Sequence, residues 1–282
     1  MNEKQNIGSL FDRIAGRYDF LNHLLSFNID RYWRRRAVAS VVDKCQNGQC
    51  QNGQCQNGQC ENGQCENGQC ENGQCENGQC QNGKCLDVAV GTADLAICLA
   101  NQFLRSKQVV PGKAGIGISP FHIVGIDLSQ EMMRLGEAKV RKCGLQDRIS
   151  FMHAGALAMP FADGSFDIVT CAYGVRNFSD LDKGLSEMYR VLRTGGQLMI
   201  LEFSYPSNKL VAWAYDLYFS HILPHVGRLV SGDKTAYTYL NRSVRSFLWG
   251  GQMADRLRQA GFADVVYTPL TFGITTIYNA TK

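Results

Sequence analysis

The sequence predicts an α/β protein built on a mostly parallel, doubly wound sheet. Three observations carry that prediction. Short apolar runs alternate with helix-period segments from residue 85 onward, the first run leads into a Gly-containing turn, and the second ends on a carboxylate, Asp127. Taken in order, residues 9–44 read as helical, because Leu10, Phe11, Ile14, Tyr18, Leu21, Leu24 and Leu25 recur at spacings of three and four. After residue 85, CLDVAV is a strand, DLAICLANQFL a helix, FHIVGID a strand and EMMRLGEAKVRKCG a helix. RISFMHA and FDIVTCAY follow as strands, then helix DLDKGLSEMYRVL and strand GQLMILEFS. From Tyr205 the tail gives an aromatic-rich helical stretch, helix GGQMADRLRQAG, and strands ADVVYTPL and GITTIYNAT.

Composition narrows the function classes. At 282 residues, 45% hydrophobic and 19% charged, the chain is ordinary for a soluble globular protein and can bury a sizeable core. Lys and Arg number 29 against 25 Asp and Glu, and the resulting net charge of +4 gives no basic field, so no nucleic-acid surface is expected. The segment MNEKQNIGSLFDRIAGRYDF lacks the apolar centre of a secretory signal, and nowhere is there an apolar run of the roughly 18 residues a membrane span needs. The expectation is a cytoplasmic protein.

Nine of the 12 cysteines belong to one tandem repeat, eight copies of C-[QE]-N-G-[QK] from Cys45 to Lys84, closed by Cys85. The count therefore says little about redox compartment. Each unit carries a turn-favouring Asn-Gly pair and no Leu, Ile, Val or aromatic residue, so the segment has too little apolar surface to offset its ordering entropy. We read it as a disordered insertion in a surface connection. Soft-metal binding and a period-five solenoid are the alternatives; the Cys spacing does not suit a zinc knuckle, and Cys is small for a solenoid's inner face.

In an open α/β sheet ligands bind beyond the carboxyl ends of the strands, so the first loop matters most. That loop is Asp87-Val88-Ala89-Val90-Gly91-Thr92-Ala93-Asp94, and it resembles the D-x-x-x-G-T-G-D signature of class I methyltransferases that use S-adenosylmethionine. The resemblance implies that Gly91 lets backbone approach the cofactor and that Thr92 adds a hydroxyl. Ala93 stands where the signature has its second glycine, a methyl group expected to narrow the pocket or exclude φ > 0. A turn kept only for packing is the alternative. Asp127 in GIDLSQEM is placed to accept ribose hydroxyls, or else to cap a helix beside Ser129. The segment His153-Ala154-Gly155-Ala156-Leu157-Ala158-Met159-Pro160-Phe161 is similar to the G-D-A-x-x-L-P-F stretch that meets adenine, with Gly155 in the acid's place, leaving recognition to backbone near Ala156 and apolar packing.

Three further blocks make the match specific. Tyr18-Asp19-Phe20-Leu21-Asn22-His23-Leu24-Leu25-Ser26 with Arg31, Trp33 and Arg34 resembles Y-D-x-x-N-x-x-x-S...W-[KR] of the quinone-biosynthesis C-methyltransferases. Val169 to Asn177 resembles their V-T-x-x-[FY]-G-[VLI]-R-N, and Glu187 to Gly196 their E-M-Y-R-V-L-K-P-G-G, with Thr194 for Pro. The tail adds Tyr237-Thr238-Tyr239-Leu240 and Ser243. The resemblance implies a Rossmann-like class I methyltransferase with a seven-stranded sheet closed by a C-terminal antiparallel hairpin. Residues 1–44 would be a helical segment on the substrate side, 45–85 the inserted repeat, and 86–282 the methyltransferase domain, with 205–250 a helical cap on the acceptor side.

The implied cofactor is S-adenosylmethionine, held by Asp87, Gly91, Thr92, Asp127, Gly155, Ala156 and Ala172, with no metal. The implied reaction is methylation of a ring carbon of a prenylated quinol, demethylmenaquinol or a ubiquinone precursor. Its electrostatic task is to stabilise a developing phenolate. Arg176 is the expected cation, with Asn177 and Tyr18 orienting hydroxyls and no obvious general base; an ion pair from Arg176 to Asp180 or Asp182 is the alternative. Leu210 to Phe219 and the N-terminal helix would supply a groove for the prenyl tail and contact with the inner membrane face, unless that aromatic stripe is plain core. His23, His221 and His225 have no acid at a spacing that suggests a triad. Two rivals stay open: a class I methyltransferase for a soluble small molecule, and a catalytically impaired descendant that binds or assembles quinone enzymes.

Overall fold

The computed structural model of the chain describes residues 7–46, 75–76, 79–80, 83–106, 121–218 and 242–282. Seven strands, β1 Lys84–Val88, β2 His122–Asp127, β3 Ile149–His153, β4 Phe166–Ala172, β5 Leu192–Phe203, β6 Ala263–Leu270 and β7 Thr275–Thr281, form one sheet. Its order is β3-β2-β1-β4-β5-β7-β6. The first five strands run parallel, and β7 enters antiparallel between β5 and β6. This is the expected parallel sheet with its C-terminal hairpin. Strand order reverses between β1 and β4, so the crevice for a ligand opens at the carboxyl ends of these central strands.

Both faces of the sheet are covered, and the period-two alternation of the strands sorts side chains between them. On one face Cys85, Ile123, Ile168, Met199 and Leu201 meet helices α2 (Ile29–Gln46) and α3 (Asp94–Ser106). On the other Leu86, Val88, Val169, Leu198 and Ile200 meet α5 (Leu181–Val191) and α7 (Gly251–Gln259). A one-residue register slip would exchange the two sets, so burial on both sides pins the register. Helix α4 (Gln130–Lys142) starts at Ser129, whose hydroxyl caps Met132 N at 3.1 Å. A Cβ at Gly136 would lie 3.2 Å from Thr92 C, so only glycine lets α4 approach the first loop this closely.

The N-terminal helical stretch is two helices, α1 (Ile7–Leu25) and α2, rather than one. The break falls at Phe27 and Asn28, with φ of 51° and 60°, and Asn28 N donates to His23 O at 2.8 Å. Asn tolerates this left-handed conformation because its side chain bonds locally. Helix α2 then buries Trp33, Ala37, Val38, Val41 and Val42.

At the edges of the repeat, Cys45 and Gln46 end α2, while Lys84 and Cys85 begin β1, with Cys85 wholly buried. Cys75–Glu76 and Gln79–Cys80 pair as a two-residue antiparallel ladder. The rest of the repeat, where disorder is expected from composition, lies outside the described residues, as do residues 107–120 and 219–241. No helix among the described residues is long and apolar enough to cross a membrane.

Candidate active site

The first loop leaves β1 with φ of 56° at Ala89, 53° at Gly91 and 66° at Ala93. The expectation that a methyl at position 93 excludes positive φ is therefore corrected: Ala93 adopts it, with its side chain fully buried, at a cost of roughly 1–2 kcal/mol. The backbone bonds from Val90 N to Ile126 O at 3.0 Å and from Ala93 N to Val90 O at 2.9 Å over-determine the turn.

Two carboxylates anchor it. Asp127, at the end of β2, accepts Gly91 N on Oδ2 at 2.9 Å and Ser129 N on Oδ1 at 2.8 Å. Burial raises its pKa, and the N–H groups of Ser129, Gly91 and Leu128 oppose that rise. The α4 cap is the Ser129 hydroxyl, not Asp127. Asp87 is buried in β1, its Oδ1 accepting Thr170 Oγ1 at 2.8 Å. Its Oδ2 is buried with no hydrogen-bond partner. Burial pushes the Asp87 carboxyl up to about 7, the Thr170 hydrogen bond offsets part of this, and the nearby Asp127 charge adds to it. An orphaned buried carboxylate oxygen beside a second buried acid is what a cationic ligand with ribose hydroxyls would satisfy. These residues fit S-adenosylmethionine.

Gly155 faces Leu128: a Cβ there would sit 3.3 Å from Leu128 Cδ2, and Leu128 itself is 57% exposed. Ala154 N donates to Asp127 O at 3.2 Å, so the 153–161 segment runs beside the end of β2, with Ala156 part-buried against the second core. The carboxylate that reaches this segment is Glu187, which accepts Met159 N at 2.7 Å.

Helix α1 straps the same end of the sheet. Asp12 accepts the Ser129 hydroxyl at 2.5 Å and Glu131 N at 3.3 Å, at the first turn of α4. Asp19 accepts the Thr92 hydroxyl at 2.6 Å, and Lys139 bridges Asp19 at 2.7 Å and Asp94 at 2.5 Å. The Thr92 hydroxyl is thus bonded within the protein. Burial acts to raise the Asp94 carboxyl, but Arg34 at 3.1 Å and Lys139 hold it below the usual carboxylate range. His23, which the sequence left without an acid, has one: its Nδ1 lies 2.7 Å from Asp30 Oδ2, across the α1–α2 turn, where Ser26 and Arg34 also bind Asp30.

The exit from β4 is pressed onto the first loop. A Cβ at Gly174 would fall 2.7 Å from both Ala89 Cβ and Cys171 Sγ, so this glycine sets the spacing between the two. Ala172 ends the strand, and Tyr173, at φ 57°, donates from N to Leu201 O at 2.7 Å and packs its ring 4.5 Å from Phe203. Arg176 follows in a short 3-10 turn, buried, with Nη1 2.7 Å from Glu202 Oε1 and 2.5 Å from Tyr173 O, and its guanidinium carbon 5.3 Å from the Phe203 ring centroid. The proposed partners Asp180 and Asp182 are engaged elsewhere: Asp180 caps α5 through Lys183 N, and Asp182 pairs with Arg256 at 2.9 Å. Asn177 Nδ2 reaches Tyr173 O at 3.4 Å. Tyr18 lies on α1, and its side chain is outside the described residues.

Helix α6 (Lys209–Leu217) buries Tyr215, whose hydroxyl feels the Arg176 charge, and exposes Leu210, Trp213 and Leu217 on the other side. Tyr218 at its end packs 6.3 Å from Phe27 at the α1–α2 turn. The groups sequence reasoning missed are Glu202, Asp12 and Lys139. Glu202 alone carried a signal, as an acid following the apolar run Leu198–Leu201.

Comparison with known proteins gives one answer. The chain matches the ubiE/COQ5 methyltransferase family over residues 1–57 and 68–282. It is 35% identical over 280 residues to the demethylmenaquinone methyltransferase of Bacteroides fragilis, covering 99% of this chain and 94% of that protein. It is 37% identical over 269 residues to the demethylmenaquinone methyltransferase of Thermus thermophilus, covering 95% and 98%. The ubiquinone/menaquinone biosynthesis C-methyltransferase UbiE of Geotalea daltonii is 37% identical over 278 residues, covering 99% and 97%. A solved structure from Thermotoga maritima, a SAM-dependent methyltransferase described as a possible histamine N-methyltransferase, shares the fold, with a TM-score of 0.54 at 15% identity over 97% of this chain and 99% of that one. With a family match across nearly its whole length, on a seven-stranded sheet whose central strands carry a loop fit for the cofactor, the chain belongs to the ubiE/COQ5 methyltransferase family.

Proposed function

We propose that this protein transfers a methyl group from S-adenosylmethionine to a ring carbon of a prenylated quinol, demethylmenaquinol before a ubiquinone precursor. The observation that supports the reading is the close packing of the β4 exit at Gly174 on Ala89 of the first loop, with the candidate cofactor loop and the Arg176–Asn177 turn at the same end of the sheet. The names of the relatives support the choice of acceptor.

Bound S-adenosylmethionine supplies a sulfonium-activated methyl group. When it is bound, Asp87 would balance its positive charge, Asp127 would accept the ribose hydroxyls, Gly91 and Ala172 would admit close approach of the backbone, and Leu128 with Gly155 and Ala156 would offer an apolar rest for adenine. Thr92 acts through Asp19 and Lys139, fixing α1 over the loop. On the acceptor side the phenolic proton leaves to solvent. The electron density of the phenolate lets the ring carbon take the methyl group, leaving S-adenosylhomocysteine, and loss of the ring proton restores the aromatic ring. A preorganised cation at the phenolate oxygen favours the ionised form and so lowers the barrier. Arg176 is that group, held before substrate arrives; Asn177 and Tyr18 orient the hydroxyls. Residues 205–218 and 242–250, the described part of the expected cap, would cover the acceptor. Leu210, Trp213 and Leu217 on α6 are exposed, and so is Phe27, which packs against Tyr218 at the end of that helix; these apolar side chains would suit a membrane surface from which a prenylated acceptor is drawn.

Complementation tests this reading. Expressed in a menaquinone-producing strain deleted for its own demethylmenaquinone methyltransferase, the protein should convert the accumulated demethylmenaquinone into menaquinone. An unchanged quinone profile with the protein present and folded would overturn it.

A further inference from the structure

The reading of Arg176 as the phenolate partner leaves open what aims it. Glu202 sits one residue past the last β4–β5 pairing, Ala172 with Leu201, at the edge of the crevice, and is fully buried. Its carboxylate accepts Arg176 Nη1 at 2.7 Å, Arg176 N at 3.3 Å and Phe203 N at 2.8 Å. The next residue, Phe203, lies under the guanidinium, and Tyr173, packed on that ring, gives its carbonyl to Nη1. The dipeptide Glu202–Phe203 thus grips the cation by edge and by face, and the carboxylate is fastened to the Arg176 main chain as well. Such a pair is poor value as a stabiliser, because apolar side chains of similar volume serve a buried position as well or better. What it does supply is orientation: a planar fork held in one plane before charge develops on the acceptor.

We infer that Glu202 is a positioning residue for methyl transfer, fixing the plane of the Arg176 guanidinium against the Phe203 ring so that it meets the developing phenolate. The inference rests on the proposed role of Arg176.

The test is a kinetic double-mutant cycle with Glu202→Gln, Arg176→Lys and the pair, assayed on S-adenosylmethionine and detergent-solubilised demethylmenaquinol. Glu202→Gln should lower kcat by about 10- to 100-fold, the scale of a small misplacement in a reacting array, with KM for both substrates within about two-fold of wild type. Glu202→Asp should restore part of the loss. Because the two residues act as one unit, Arg176→Lys/Glu202→Gln should be no slower than Arg176→Lys alone. Multiplying losses would mean that Glu202 acts independently and would overturn the inference. Should Glu202→Gln fail to fold, Glu202→Asp decides: a folded protein that binds cofactor with both KM values near wild type but a lowered kcat supports the role, and wild-type kcat rejects it. Wild-type kcat in Arg176→Lys would instead reject the reading of Arg176 itself, a result distinct from normal turnover in Glu202→Gln alone.

Discussion

Asp87 makes a prediction that couples stability to cofactor binding. Its carboxyl is raised by burial from 3.8 to about 7. In the unfolded chain the group ionises near pH 4, whereas in the cofactor-free fold it keeps its proton to about pH 7. Below pH 4 both states are protonated and no penalty exists. Between pH 4 and 7 the folded state binds more protons, so stability falls as pH rises, and above 7 the full penalty is present. Three units at about 1.4 kcal/mol each amount to about 4 kcal/mol. Asp87→Asn keeps an acceptor for Thr170 Oγ1 and carries no charge. The cofactor-free variant should therefore be more stable than wild type at pH 8, by roughly 8–16 °C in Tm at about 2–4 °C per kcal/mol for this size, and equal to it below pH 4. A cationic ligand against Oδ2 would reverse the balance: binding to wild type at pH 5.5 should release a proton, and binding to the variant should be weaker and release none. Thermal melts across pH, with titration calorimetry in buffers of different ionisation heat, measure both. A variant less stable than wild type at pH 8, or a pH-independent difference, would refute the reasoning by showing that the fold already compensates the ionised acid.

Three further outcomes are expected. Asp127→Ala should raise the Kd for S-adenosylmethionine by about 10- to 100-fold, the 1.5–3 kcal/mol of a charged hydrogen bond, with the domain still folded; unchanged affinity by calorimetry alongside a lower Tm would leave Asp127 as an organiser of Gly91 and Ser129 only. Replacing residues 47–82 by a short Gly-Ser linker, which spares both α2 and β1, should leave fold and turnover intact, because loop closure changes by only about 0.6 kcal/mol per doubling of length; loss of soluble protein would contradict this. Leu210→Ala/Trp213→Ala, at side chains 74% and 63% exposed, should keep Tm and lose sedimentation with anionic vesicles, and undiminished sedimentation would place the membrane contact elsewhere.

The central strands were legible because their apolar runs are buried on both faces; ADVVYTPL coincides with β6 end to end although that edge strand is mostly exposed. The start of β5 was not: the sequence reads as helix through Leu192 and as strand from Gly196, yet the strand begins at Leu192. There the pairing with β4 jumps from Phe166–Leu192 to Ile168–Gln197, and the chain bulges at Gly195, with φ of 73°, and at Gly196, where a Cβ would fall 2.7 Å from Leu192 Cδ1. The break between α1 and α2 was missed because the apolar period continues through it, and only the short run Ser26-Phe27-Asn28 marks the turn. In the site, Asp127 was readable as a candidate from its place at a strand end, and Asp87 from the signature that the first loop resembles. The long-range partners were not: Arg176 finds Glu202, Thr92 finds Asp19, and His23 finds Asp30, because topology and a helix turn, not sequence spacing, bring them together.

The central claim is carbon methylation of a prenylated quinol at this site, and the most direct measurement follows the methyl group itself. Purified protein is incubated with methyl-labelled S-adenosylmethionine and detergent-solubilised demethylmenaquinol, and the lipid extract is resolved by mass spectrometry and NMR. The account predicts label on the ring carbon of menaquinol, lost in step with kcat in Arg176→Ala, whose cofactor affinity stays near wild type. Label on a phenolic oxygen, on a water-soluble acceptor in place of the quinol, or undiminished in folded Arg176→Ala would contradict it.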